Sequence, residues 1–276
     1  MSVMRLHKQR VTLLITALVM ALQGMAGGMN VLIFGDSNCW IGGDDCSKEQ
    51  GWTKWFVDDF KPASCRSYAR SGATWTHTDN TTENIKENIE VLGDNNVIYN
   101  QIRRAQIDVG DGDLPMPDLV IVAAGANDVW FVKKRPDALN TGDLLSLSTS
   151  SDEFTGLIPI NRLTSLTKVV GYDVSLLKKS FPGAVIVLVT PSQSTRYKND
   201  DVLLAGNLIE RAVAQMQGVF VLRLDKEGVI KREQELKAKK FTTDGVHTTV
   251  AGAQSNGKLI SSKVKKLLNI TLTNPF

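Results

Sequence analysis

"VLIFGDSNCW", Val31 to Trp40, drives an apolar run straight into Gly-Asp-Ser-Asn, small polar residues that add nothing to a core. Turn chemistry accounts for the composition, since Gly, Asp, Ser and Asn are the residues of which turns are made. A second reading accounts for the position as well: Ser37 stands as a nucleophile at the carboxyl end of a parallel strand. The rest of the chain separates the two.

Working outward, strand candidates fall at Asn30 to Phe34, Asp118 to Ala124 ("DLVIVAA"), Ala184 to Thr190 ("AVIVLVT") and Val219 to Leu222, with a weaker one near Ser64 to Tyr68. Apolar at successive rather than alternate positions, they are expected to be buried on both faces, as strands of a parallel sheet covered by helices are. Helix-like stretches lie between them: Trp52 to Phe60, Glu83 to Ile107, Leu163 to Ser180, Val202 to Gln217, Lys226 to Lys239, and Val250 to Leu268. This alternation predicts a doubly wound α/β domain, in which ligands bind beyond the carboxyl ends of the strands. The loops after Phe34 and Ala124 then share one rim. Asp128 to Asn161 is long for a connection and is expected to rim a pocket.

At 276 residues with 42% apolar content, the chain has ample material for a core. Its beginning reads differently: Arg5, Lys8 and Arg10 precede the uncharged run Val11 to Leu22, which ends in small residues at Gly24-Met25-Ala26. That is the pattern of an export signal over residues 1–26, leaving one domain over 27–276. The run is shorter than the roughly 20 apolar residues of a membrane span. The mature protein is therefore expected to be exported, periplasmic or secreted, without a stable membrane anchor. The signal holds three of the 32 basic residues and none of the 29 acidic ones, so the remainder carries equal numbers of each. Net charge then gives no reason to expect nucleic acid or an anionic membrane as partner. Cys39, Cys46 and Cys65 permit one disulfide in an oxidising compartment, the pair being left open. There is no C-x-x-C and only His7, His77 and His247 as histidines, so neither metal nor other cofactor is expected.

Four short stretches fall in loops on the expected rim: "GDSN" at Gly35 to Asn38, "SGAT" at Ser71 to Thr74, "GAND" at Gly125 to Asp128 and "DGVH" at Asp244 to His247. In this order they resemble the four signature blocks of the SGNH hydrolases, also called the GDSL family of esterases and lipases. The resemblance runs from about Met29 to Leu268 and implies a three-layer α/β/α, flavodoxin-like sheet. It also implies a carboxylic ester hydrolase whose oxyanion hole is formed by the amides of Ser37 and Gly72 and the side chain of Asn127. One departure from the family pattern is the lead-in "YARSG", which sets Arg70 beside the second block.

The residues themselves supply what acyl transfer requires. A serine hydroxyl needs a base, and a neutral imidazole serves near neutral pH. His247 lies three residues after Asp244 across a glycine, a spacing that lets the carboxylate reach the ring's other nitrogen. His77, in the polar stretch "TWTHTDNTT", is expected to be a solvated surface histidine. Asp36 and Asp128 are expected to brace their loops. Trp40, Trp75 and Trp130 lie near the blocks and are candidates for stacking on a sugar or lining an acyl pocket. "GAQSNGKL", Gly252 to Leu259, imitates a phosphate loop but has Leu259 where Ser or Thr belongs and follows no strand. The expected activity is removal of short acyl groups, acetyl foremost, from a glycan or other small ester. The alternatives are a noncatalytic carbohydrate- or envelope-binding protein and a lipase- or thioesterase-like enzyme for longer chains.

Overall fold

The computed structural model describes residues 28–87, 89–142 and 158–273; the export-signal reading and the 143–157 part of the long loop lie outside the described residues. Five strands are described: β1 (Asn30–Gly35), β2 (Ser64–Ser67), β3 (Leu119–Ala123), β4 (Val185–Val189) and β5 (Val219–Leu222). They form one sheet of order β2-β1-β3-β4-β5, every pairing parallel. Gly35 pairs with Ala123, Ala123 with Val189 and Val189 with Leu222, so these strands end in line and their loops open along one edge. The chain leaves β2 on one side of β1 and resumes at β3 on the other. That reversal makes a crevice beyond the strand ends.

Helices cover both faces, and the strands show why they read as continuous apolar runs. Leu32, Phe34, Val120, Val122, Ile186 and Leu188 face one core, filled from α3 (Ile98–Gly110), α5 (Leu166–Ser180) and α6 (Asn199–Ala212) by residues such as Ile102, Val170 and Leu208. Val31, Ile33, Leu119, Ile121, Val187 and Val189 face the other, against α2 (Trp52–Phe60) and α9 (Val250–Thr273), which supply Phe56, Phe60, Ile260 and Val264. Successive residues of each strand thus serve opposite cores. β2, the edge strand that was hardest to read, is mostly half-buried and carries Ser64, Arg66 and Ser67, as an edge tolerates. Short helices complete the order: α1 (Ser37–Trp40), α4 (Ala126–Trp130), α7 (Leu224–Glu227) and α8 (Arg232–Lys237).

Two helix expectations need correction. The described residues from Glu83 to Val97 hold no helix, and α3 begins only at Ile98. Asn side chains compete there for the backbone: Asn95 Oδ1 accepts from the Thr82 amide at 2.8 Å and Asn100 Oδ1 from the Asn84 amide at 2.9 Å. The single helix expected over Lys226 to Lys239 is instead α7 and α8, because Gly228 turns extended and a Cβ there would lie 2.4 Å from the Leu224 carbonyl. The phosphate-loop imitation "GAQSNGKL" is part of the α9 helix.

Candidate active site

Ser37 is the first residue of α1, directly beyond the carboxyl end of β1. The strand end is fixed by a buried exchange in which the Gly35 amide donates to Gln101 Oε1 and Gln101 Nε2 donates back to the Gly35 carbonyl, both at 2.9 Å. Asp36 caps α1, its Oδ1 accepting from the Asn38 amide at 3.0 Å. Burial pushes the Asp36 carboxyl up to about 6. Ser37 is left with its amide outside the helix's own bonding, as first-turn amides are.

His247 arrives from the other end of the chain in a hairpin closed by an antiparallel bridge between Thr242 and Thr248. Its Nε2 lies 2.9 Å from Ser37 Oγ, and its Nδ1 lies 2.7 Å from Asp244 Oδ2. The other Asp244 oxygen accepts from the amides of Val246, at 2.9 Å, and His247, at 2.8 Å. Partial burial works against the Asp244 charge, but the ring and these two amides outweigh it and bring the carboxyl down to about 2. An ionised carboxylate only accepts, so Nδ1 donates to it and Nε2 turns its lone pair to the Ser37 hydroxyl. Gly245 makes the turn possible: its φ is +95°, and a Cβ would meet Thr195 Oγ1 at 2.0 Å.

The second and third blocks are tied to each other. Asp128 Oδ2 accepts from the Trp75 amide at 3.0 Å, and its Oδ1 accepts from the Thr76 amide at 2.9 Å and the Thr76 hydroxyl at 2.5 Å. Asn127 Nδ2 donates to the Ala73 carbonyl at 2.8 Å, using one of its two hydrogens. Gly72 has a φ of +78°, and a Cβ there would press on Val91 Cγ1 at 2.6 Å. Glycine is required by the turn and by the 91–92 segment behind it. Arg70, the unusual neighbour, is a brace: Nη1 donates to Asp44 Oδ1 at 2.9 Å and Nε to the Glu87 carbonyl at 3.1 Å.

Two expectations about aromatic and imidazole rings come out differently. Trp75 is a core residue, 1% exposed, drawn inward with the backbone that Asp128 holds, and offers no face to a substrate. His77 is also buried rather than solvated. Its Nδ1 donates to the Ile160 carbonyl at 2.6 Å, its ring meets Tyr99 edge-on at 5.9 Å, and burial brings its pKa down to about 4. Trp40, by contrast, is 46% exposed. Trp130 stacks on Phe131 at 5.2 Å and carries the Arg196 guanidinium 5.5 Å from its ring centre.

Sequence reasoning missed the supports. Besides Gln101, the loop after β4 holds the histidine hairpin: Ser194 Oγ donates to the Gly245 carbonyl at 2.7 Å and the Thr195 amide to the same oxygen at 3.2 Å. Its place beyond a strand end was the available signal. Buried Glu235 accepts from the Phe241 amide at 2.9 Å and the Thr242 amide at 3.0 Å, fixing the chain just before the hairpin. A cavity of about 40 Å³ lies at the ends of β3 and β4, its lining including Ala123, Val189, Asp36, Asn38, Pro191 and Tyr197. Among the described residues no group of three or more His, Cys, Asp or Glu side chains is placed to hold a metal ion. No helix among them is long and apolar enough to cross a membrane.

With this geometry in hand, comparison with known proteins is specific. The model of the GDSL-like Lipase/Acylhydrolase family matches residues 33–254. No curated protein matches the chain. Among solved structures, the native aryl esterase of M. smegmatis is similar with a TM-score of 0.52 at 14% identity, over 87% of this chain and 100% of that one. A "possible lipase" from Chitinophaga pinensis is similar with a TM-score of 0.54 at 15% identity, over 87% of this chain and 98% of that one. At such identities the likeness is one of fold.

Proposed function

Since the chain belongs to the GDSL-like lipase/acylhydrolase family, its model matching residues 33–254, we propose that it is an exported serine esterase that removes short acyl groups, acetyl foremost, from a glycan or other small ester. The observation that carries this reading is the unbroken chain of contacts Ser37 Oγ, His247 Nε2, His247 Nδ1, Asp244 Oδ2. In the proposed reaction His247 takes the proton from Ser37 as Oγ attacks the ester carbonyl. Asp244, ionised at neutral pH because its carboxyl sits down at about 2, stabilises the imidazolium that forms. The amides of Ser37 and Gly72 and the second hydrogen of Asn127 Nδ2 receive the oxyanion. His247 then protonates the leaving alcohol, and water activated by the same ring hydrolyses the acyl-enzyme.

Exposed Trp40 presents a flat face suited to a sugar ring. Export rests on the basic and then apolar pattern of residues 1–26. Hydrolysis of p-nitrophenyl esters from acetate to palmitate, with Ser37→Ala alongside, tests the proposal. Turnover that falls with chain length and vanishes in Ser37→Ala is expected. Turnover rising toward palmitate would assign the longer-chain alternative, and no turnover on any ester would favour a binding protein.

A further inference from the structure

We propose that Cys46 and Cys65 are a dithiol/disulfide site that fastens the loop following the Ser37 helix to the edge strand β2. The two sulfurs face each other at 3.5 Å, Cys46 buried in the loop and Cys65 partly buried on β2. The backbone is already docked around them: the Ser67 amide donates to the Asp44 carbonyl at 2.8 Å, and the Asp44 carboxylate takes Arg70 at 2.9 Å and Arg66 at 3.5 Å. Cys46 holds a left-handed φ of 58°, a conformation costly for a non-glycine residue. A bonded pair needs a separation of about 2.0 Å, a closure within reach of side-chain rotation in a loop. The remaining cysteine has a different neighbour, Cys39 Sγ lying 3.8 Å from the Ala123 carbonyl beneath Ser37.

The step needs an oxidant, and a small-molecule or protein disulfide supplies it. The thiolate of Cys65, the more accessible sulfur, attacks one sulfur of the oxidant, forming a mixed disulfide and releasing one thiol. Cys46 then loses its proton and displaces the second thiol, forming the Cys46–Cys65 bond. Two electrons and two protons pass from the protein to the oxidant. Contact with the Cys46 sulfur, together with burial, pushes the Cys65 thiol well up, so the reduced pair reacts slowly at neutral pH. The bond closes a loop containing α2 and Gln50, whose carbonyl accepts from Thr248 Oγ1 at 3.1 Å, next to His247. The crosslink stabilises the platform of the site and leaves its chemistry unchanged.

The test is peptide mapping of the wild-type protein after incubation with oxidised glutathione at mildly alkaline pH, with thermal unfolding before and after. A Cys46–Cys65 peptide lighter by two hydrogens is expected, with Cys39 alone open to alkylation once unfolded. The melting temperature should rise by on the order of 5–10 °C, return on adding dithiothreitol, and stay unmoved in oxidised Cys65→Ser. A crosslink through Cys39, no crosslink at all, or an equal rise in Cys65→Ser would overturn the proposal. None of these readouts depends on ester hydrolysis.

Discussion

Nε2 of His247 lies 2.9 Å from Oγ of Ser37, a contact between residues 210 positions apart. Neither residue's own element secures it alone. Ser37 is placed by the end of β1 and its Gln101 clamp; His247 is placed by Asp244, by the loop after β4 and by Glu235. Substitutions at these supports therefore report on the site as well as on stability.

Asn127→Ala removes the proposed third oxyanion donor. The expected result is a loss in kcat of about 10²–10³ with KM little changed. The lost bond to the Ala73 carbonyl costs about 1 kcal/mol of stability besides. Steady-state kinetics beside urea unfolding separates the two effects. An unchanged kcat would remove Asn127 from the mechanism.

Gln101→Leu breaks both bonds to Gly35 and leaves the buried Gly35 amide without its acceptor. A loss of about 2 kcal/mol in stability is expected, and kcat should fall more than KM changes because Ser37 loses its anchor. Stability lost with kcat intact would confine Gln101 to the core.

What could be read from the chain beforehand was what local composition carries. Val31 to Phe34 and Val185 to Val189 are apolar at every position because adjacent residues serve opposite cores, and that signal survives without neighbours. The blocks at Ser37 and Asn127 stand out because strand-end loops need small polar residues, and that at His247 because an acid lies three residues before the ring. Gln101 and Ser194 were invisible because each acts on backbone groups far away in sequence, and Glu235 because it folds back on amides a few residues ahead; a polar residue in an ordinary stretch gives no sign of its partner. Trp75 and His77 were misread for a related reason. Their polar surroundings are turned inward by Asp128 and by the Ile160 carbonyl, partners that periodicity does not reveal.

His77 gives the fold an acid-sensitive point. Burial lowers its pKa to about 4, against about 6.5 in an unfolded chain. Between those values the unfolded chain binds a proton that the folded chain refuses, so stability is whole above pH 6.5 and declines as pH falls toward 4. His77→Gln removes this proton. Between pH 7 and 4.5 the wild type should lose on the order of 2 kcal/mol more than the variant, read from urea unfolding at the two pH values. Equal losses would mean that His77 is already protonated in the folded protein.

The central claim is that Ser37 is the nucleophile, and its most direct test is reaction of the wild-type protein with diisopropyl fluorophosphate followed by peptide mapping. Oγ should displace fluoride and carry one phosphoryl group per chain, with ester hydrolysis falling in step with labelling. Hydrolysis that persists after Ser37 is fully labelled, or a label that inactivates from another residue, would contradict it.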